Sequence, residues 1–210
     1  IVIMQASAGL LKGDEHEIEI SVSPGTSAVI TEQSYTKIFK TDDGYASKRV
    51  RISVGKDAVL YYLPCPSIPF SGSSFSSLTE IELAPGSRLM FWDILAGGRV
   101  GMDELFRFNR YCSSTRVRLN GKLVYADSSR LVPAEHDLSS IGCFEGCTHM
   151  GTAYFYGFEN DFEFNETDGI ISAYTQPAEG ILVRALADSG DKLTAYFKSL
   201  LPHSEILPHI

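Results

Sequence analysis

The chain has 210 residues, 44% hydrophobic and 21% charged, with a formal net charge of −8, the composition of a single globular domain long enough to bury a core. The acidic balance argues against nucleic-acid binding and leaves no basic face for an anionic membrane, and no apolar run reaches the length of a membrane-spanning helix. Four cysteines are too few for a disulfide framework and no secretory leader is legible, which points to a reducing compartment, the cytoplasm.

The opening segment, Ile1 to Gly13, is apolar, then punctuated by glycine, and lacks an initiator methionine, so residues 1–210 read as one domain of a fragment. His16 to Val22, HEIEISV, alternates and predicts a half-buried strand. After Pro24-Gly25, Ser27 to Phe39 reads mostly as strand. Alternation there puts Thr31, Gln33 and Tyr35 on one face and Glu32, Thr36 and Ile38 on the other. Thr41 to Tyr45 is a turn rich in Asp and Gly, and Lys48 to Val54, KRVRISV, reads as a surface strand. A turn at Gly55–Asp57 leads into the β-formers Val59 to Leu63. Pro64, Pro66 and Pro69 follow; each removes a donor and fixes φ, so this stretch predicts an irregular extended wall anchored by Ile68 and Phe70. Leu78 to Leu83 alternates again. From Phe91 the chain reads strand, glycine-rich bend at Gly97, Gly98 and Gly101, then strand, with Arg99 and Glu104 bracketing the bend. Arg116 to Ala126 predicts a hairpin about Asn120-Gly121. Asp137 to Cys143 predicts a short helical turn capped by Asp137. Ala153 to Phe158 and Ile181 to Leu186 read as late strands. The last element is an amphipathic helix: Ser189 caps it, Leu193, Phe197, Leu200 and Leu201 share a face, and Pro202 stops it.

Three turn-then-strand units recur. Gly25, Gly55 and Gly86 stand 30 and 31 residues apart, and Gly121 marks a looser copy 35 residues on. This period predicts a mainly β fold of stacked strands, β-helix or solenoid-like, with the helix at its side or end. An antiparallel sandwich, whose hairpins also recur, is the competing architecture.

No nucleophile elbow, phosphate-binding loop or HExxH motif is present. Cys143, Cys147 and His149 bring three soft or borderline ligands within seven residues, but not at a zinc spacing; buried free thiols are the other reading, and Cys65 and Cys112 read as core cysteines. Arg99 and Glu104 read as an ion pair across the glycine bend, or Glu104 as an oxygen ligand. The polar ladder of Thr31, Gln33, Thr36 and Lys37 reads as the lining of a wet interior or as exposed cross-strand pairs. Asp14, at a strand entry, reads as a solvated turn aspartate. One enzymatic class stays open: a β-solenoid acting on polysaccharides with paired carboxylates drawn from Asp14, Asp93, Asp103 and Glu104. The single tryptophan is sparse for sugar stacking. A third class is a structural partner with no role for metal.

Four segments, GDEHEIEISVSPG, TEQSYTKIF, LPCPSIPF and AGGRVGMDELFRF, stand in an order that resembles the UreD family of urease accessory proteins, called UreH in some bacteria. The resemblance covers nearly the whole chain. Its motif positions here are Gly13, Asp14, Thr36, Lys37, Pro64, Pro66, Pro69, Phe70, Gly98 and Arg99, with a weaker match at Gly146, Thr148 and His149, where the neighbouring cysteines depart from the pattern. The family more often has Gly-Gly-Asp where this chain has Lys12-Gly13-Asp14, and its members begin with several more strands. The resemblance implies a β-helix-like fold with a few helices and no catalytic activity. It implies binding to apo-urease and to UreF, which recruits the GTPase UreG, and a dimeric assembly through UreF. It implies help in carbamylating the urease active-site lysine and delivery of nickel, with no tightly bound cofactor and nickel present only in transit. Acidic residues near Asp14 are linked in the family to the metal route. Loose oxygen ligands suit an ion that must be released, so Asp14, Thr31, Gln33 and Glu104 are the expected path. The proline wall and the C-terminal helix are the expected docking surfaces.

Overall fold

The recurring turns are the corners of stacked β coils. At Ser23–Thr26, Gly55–Ala58 and Ala84–Ser87 the fourth amide donates to the first carbonyl, and the third residue (Gly25, Asp57, Gly86) is left-handed. The turns also bond to one another: the Gly25 amide donates to Lys56 O at 2.9 Å and the Asp57 amide to Pro85 O at 3.1 Å. Gly55, which the period equates with Gly25 and Gly86, therefore opens its turn instead of filling the left-handed place. Its lack of a side chain answers to stacking, since a Cβ there would lie 2.6 Å from Pro24 N.

The computed structural model describes residues 1–158, 167–177 and 179–200. After β1 (Val2–Ile3), the first coil is β2 (Glu15–Val22), β3 (Ser27–Glu32) and β4 (Thr36–Ile38). The second is β5 (Ala46–Val54), β6 (Val59–Leu63) and β7 (Ser67–Pro69). The third is β8 (Ser74–Leu83), β9 (Arg88–Ala96) and β10 (Gly98–Arg99), closed by β11 (Glu104–Leu105). β12 (Arg110–Leu119) opens a fourth coil, but Asn120-Gly121 folds it straight back as β13 (Lys122–Leu131). β14 (His149–Tyr156), β15 (Ile170–Thr175), β16 (Ile181–Ala187) and helix α1 (Gly190–Ser199) complete the chain.

A five-stranded sheet runs β13-β12-β8-β5-β2, and a nine-stranded sheet runs β1-β3-β6-β9-β14-β16-β15 with β4 and β7 at its side. Within the coils the strands stack in parallel register: β2 on β5, β5 on β8, β8 on β12, β3 on β6 and β6 on β9. The stacked-strand expectation thus holds, and β13, β14, β16 and β15 end the solenoid antiparallel. The nine-stranded sheet is covered on both faces. α1 lays Leu193, Tyr196, Phe197 and Leu200 on one side, against Tyr61, Trp92 and Phe155. The five-stranded sheet covers the other with Val50, Ile52, Val54, Ile81, Leu83 and Val117. That is why every residue of β6, VLYYL, is buried and apolar instead of alternating.

Several expectations are corrected. Gly121 sits in a hairpin, not in a further coil corner, because Asn120 and Gly121 are both left-handed, the geometry of a two-residue reversal. The strand over 27–39 breaks at 33–35. Ser67–Pro69 is a true strand between β4 and β9. Thr36 N donates to Pro66 O and Phe70 N to Ile38 O, so the ladder runs through alternate residues and Pro69 has no donor to lose. Lys48–Val54 is a core strand with Val50, Ile52 and Val54 buried. Asp137 caps non-helical turns, its Oδ1 accepting from the Ser139 amide and hydroxyl, and the short helical turn lies instead at Val100–Met102. Ser189 caps α1 as expected, with its hydroxyl accepting from Lys192 N. The apolar face of α1 is buried against the nine-stranded sheet and is not exposed. Leu201 and Pro202 lie outside the described residues.

Candidate functional site

Alternate residues of the five-stranded sheet face the interior, and their chemistry changes along each strand. In β8 they are Phe75, then Ser77 and Thr79, then Ile81 and Leu83. In β12 they are Tyr111, then Ser113 and Thr115, then Val117. β5 contributes Lys48 before Val50, and β13 contributes Asp127 and Ser129 beside Tyr125. Register aligns these polar rungs: Lys48 beside Ser77, Ser77 beside Ser113, Ser113 beside Ser129, and Thr79 beside Thr115 beside Asp127. On the nine-stranded sheet Glu32 ends β3, and Asp93, Thr152 and Arg184 stand side by side on β9, β14 and β16. Neighbours in register follow the stacking direction, so the result is a polar seam along the solenoid axis. It separates the apolar core beneath it from a second cluster around Leu10, Ile38, Phe75, Leu95 and Phe144.

The seam is hollow in two places. A cavity of about 30 Å³ is lined by Lys48, Tyr62, Cys65, Ser77 and Thr79. One of about 40 Å³ is lined by Ser113, Thr115, Tyr125, Asp127, Ser129 and Thr152. Phe91, Asp93 and Tyr111 border both. A water needs roughly 10–15 Å³ of such space, so each is large enough for water or a small ion. Neither admits a sugar ring, since organic ligands occupy pockets of roughly 300 Å³ or more. A larger groove, about 210 Å³, lies on the outer face of the five-stranded sheet among Glu19, Arg51, Glu80, Glu82 and Arg118. It is the space between solvated side chains of alternating charge.

Charge in the seam is arranged end to end. Lys48 Nζ lies 2.5 Å from Glu32 Oε1, and Thr36 Oγ1 donates to Glu32 Oε2 at 3.4 Å. Cys65 Sγ donates to the Glu32 carbonyl at 3.2 Å, and burial pushes its thiol pKa up. At the far end Arg184 donates to Asp127 Oδ1 at 2.7 Å. Between them burial pushes Asp93 up to about 6, with Glu32 and Asp127 adding to the rise and Lys48 opposing it. Its surface is only partly covered because it faces cavity, not packed atoms. Burial also raises the Tyr62 and Tyr111 phenols, which stay neutral hydroxyls. No group of three or more His, Cys, Asp or Glu side chains among the described residues is arranged to hold a metal ion. The seam therefore offers single oxygen donors in series, a set that holds a divalent cation loosely.

The path expected from sequence is not brought together. Asp14 Oδ2 accepts from the Leu11 amide in an exposed turn. Thr31 Oγ1 donates to Leu63 O on the face away from the seam, and Gln33 is exposed in the bend after β3. Glu104 is held by Arg99, whose Nε donates to Oε2 at 2.7 Å, and it accepts from Ser71 N. None of the four lines either cavity. Arg99 also lies 4.4 Å from the Phe70 ring centre, and Gly98 is required beside it, since a Cβ there would lie 1.9 Å from Glu104 O. Thr36 is buried on Glu32, Lys37 is exposed, Pro64 O accepts from Trp92 Nε1, and Gly13 is a left-handed turn residue. His149 is buried against the Thr148 hydroxyl, and burial pushes its imidazole below the usual range. It forms no ligand set with Cys143 and Cys147. The residues that sequence missed are Glu32, Lys48 and Asp127. The available signal was the alternation of the 31–38 ladder, which does turn Glu32, Thr36 and Ile38 to the buried side.

A scan against protein-family models matches residues 1–206 to the UreD urease accessory protein. A UreD of Acetivibrio thermocellus is 32% identical over 207 residues, spanning 94% of this chain and 79% of the relative. A UreH of Helicobacter pylori strain G27 is 33% identical over 199 residues, spanning 92% and 75%. A UreD of Actinomyces naeslundii is 30% identical over 213 residues, spanning 98% and 78%. Each carries the name urease accessory protein.

Proposed function

Since the chain belongs to the UreD family of urease accessory proteins, we propose that it acts in urease maturation as a non-catalytic conduit and scaffold in the cytoplasm. It binds apo-urease and UreF, engages UreG through UreF in a dimeric assembly, and passes nickel, its cargo, along the polar seam. One observation carries the conduit: two carboxylates, Asp93 and Asp127, line a hollow row of hydroxyls, and a third, Glu32, pairs with the cavity-lining Lys48, with no chelating cage among the described residues. Carboxylate and hydroxyl oxygens bind a divalent ion loosely enough to release it. Water in the cavities keeps the ion partly hydrated. The apolar clusters on either side make the seam the hydrophilic route between them.

The test is a urease operon lacking this gene, complemented with the chain or its variants. Nickel per urease active site is measured beside a pull-down of UreF and urease. The wild-type chain is expected to restore nickel. Asp93→Asn is expected to assemble normally yet lower nickel several-fold, whereas Cys143→Ala/Cys147→Ala loads urease as wild type does. Full nickel with Asp93→Asn, or loss of nickel only in the cysteine variant, overturns the conduit.

A further inference from the structure

We propose that Lys48 is a tethered stopper: its ammonium occupies Glu32, the carboxylate at the first-coil end of the seam, and a divalent cation engages that carboxylate only by displacing it. This rests on the conduit reading above and adds regulation to it. Lys48 lines the cavity that it shares with Asp93, and Glu32 does not. The Lys48 side chain thus lines the space through which an ion would arrive and holds the carboxylate at its end. The Lys48 and Glu32 side chains are only 11% and 4% exposed, so water contributes little to neutralising Glu32. The second Glu32 oxygen is met at the long distance of 3.4 Å by the Thr36 hydroxyl, which leaves Lys48 as its main counter-charge.

Residue type matters here. A lysine ammonium is a point charge on a flexible stem, so it can leave and return by side-chain rotation alone, while the planar fork of arginine locks onto a carboxylate with two bonds. Its direct neighbours in register are His16 on β2 and Ser77 on β8, with Ser113 and Ser129 continuing the rung; on the β8 side the small hydroxyls leave room for the stem to move. A divalent ion carries twice the charge of the ammonium and outcompetes it for an oxygen pair at close range. When the ion moves on, the tethered ammonium refills the place at high effective concentration. Such a device makes occupancy transient without a weaker ligand.

The experiment titrates Ni²⁺ into the full chain by calorimetry and by thermal unfolding, and follows nickel release to a chelator. Lys48→Met is expected to bind Ni²⁺ about tenfold tighter than wild type, as one buried carboxylate loses its counter-ion. It also becomes more stable with nickel present and releases the ion more slowly. Glu32→Gln/Lys48→Met removes both charges and is expected to lose all three gains while still folding. Nickel affinity and release in Lys48→Met equal to wild type would overturn the stopper and leave a structural ion pair. Should Lys48→Met not fold, Lys48→Arg decides: it keeps the charge, and slower nickel loading of urease is expected. Loading at the wild-type rate rejects the proposal. If Asp93→Asn abolishes delivery while both Lys48 variants behave as wild type, the stopper fails and the conduit stands; if Asp93→Asn delivers normally, the conduit itself fails.

Discussion

The two ends of the seam carry the same kind of charge pair in opposite settings. At the first coil the pair is sealed, with Lys48 and Glu32 11% and 4% exposed, and the cation faces the cavity. At the last coil Arg184 and Asp127 are 52% and 23% exposed, and the carboxylate faces the cavity. The solenoid produces this difference. The first pair lies where both sheets and the β4–β7 side close around it. The second lies where β13 folds back and the five-stranded sheet ends before β16 and β15. An ion pair is thus no fixed contribution: in water it is nearly neutral to stability, and in a sealed site each charge depends on the other. The two ends of the seam therefore differ in what lines their cavities, the carboxylate residue Asp127 at one and Lys48 at the other.

The sharpest way to break the comparison is to remove one charge at each end. Lys48→Met leaves a buried carboxylate without its partner and is expected to cost about 3–5 kcal/mol in urea unfolding. Glu32→Gln/Lys48→Met should recover most of that loss. A double variant as unstable as the single would mean that packing, not charge, holds the sealed end. The middle of the seam gives the next effect. Asp93 is raised by burial to about 6 when folded, against about 3.9 unfolded. The folded state therefore holds the proton more tightly, so this residue's contribution to stability falls as pH rises through the window from about 4 to about 6. Asp93→Asn should match wild type near pH 4 and exceed it by about 2–3 kcal/mol above pH 7. A pH-independent difference between the two proteins would place Asp93 in contact with bulk water. The smallest effect is expected at the open end: Arg184→Gln should cost about 0.2–1 kcal/mol, and less in high salt. A salt-independent loss of several kcal/mol there would erase the distinction between the ends.

How far the sequence reached differs between these regions for a physical reason. The coil corners were legible at Pro24-Gly25 and Pro85-Gly86, because proline and glycine act on their own backbone. Gly55 is their equivalent by period only, because the steric demand on it comes from Pro24 of the preceding coil. The hairpin at Asn120-Gly121 and the Ser189 cap were legible for the same local reason. Ser67–Pro69 is not legible as a strand, since whether a proline spoils a ladder depends on which side its missing donor would have faced. The candidate site was half legible. Alternation sorted the 31–38 ladder correctly into two faces, but nothing local says which face is inside.

By itself the sequence determined what depends on residues close along the chain: the strands and their alternation, the turns, the helix cap and a stacking period near 30, along with the ordered segments that carry the family resemblance. Only the tertiary structure decided register. Register places Ser77, Ser113 and Ser129 beside Lys48, and Thr79 and Thr115 beside Asp127, and so turns scattered serines and threonines into one hydrophilic line through an apolar core. It also decided that Lys48, in a strand that reads as surface, points inward to a carboxylate 16 residues earlier in the chain. The energy of a buried charge is set by what surrounds it in space, and those surroundings come from separate coils.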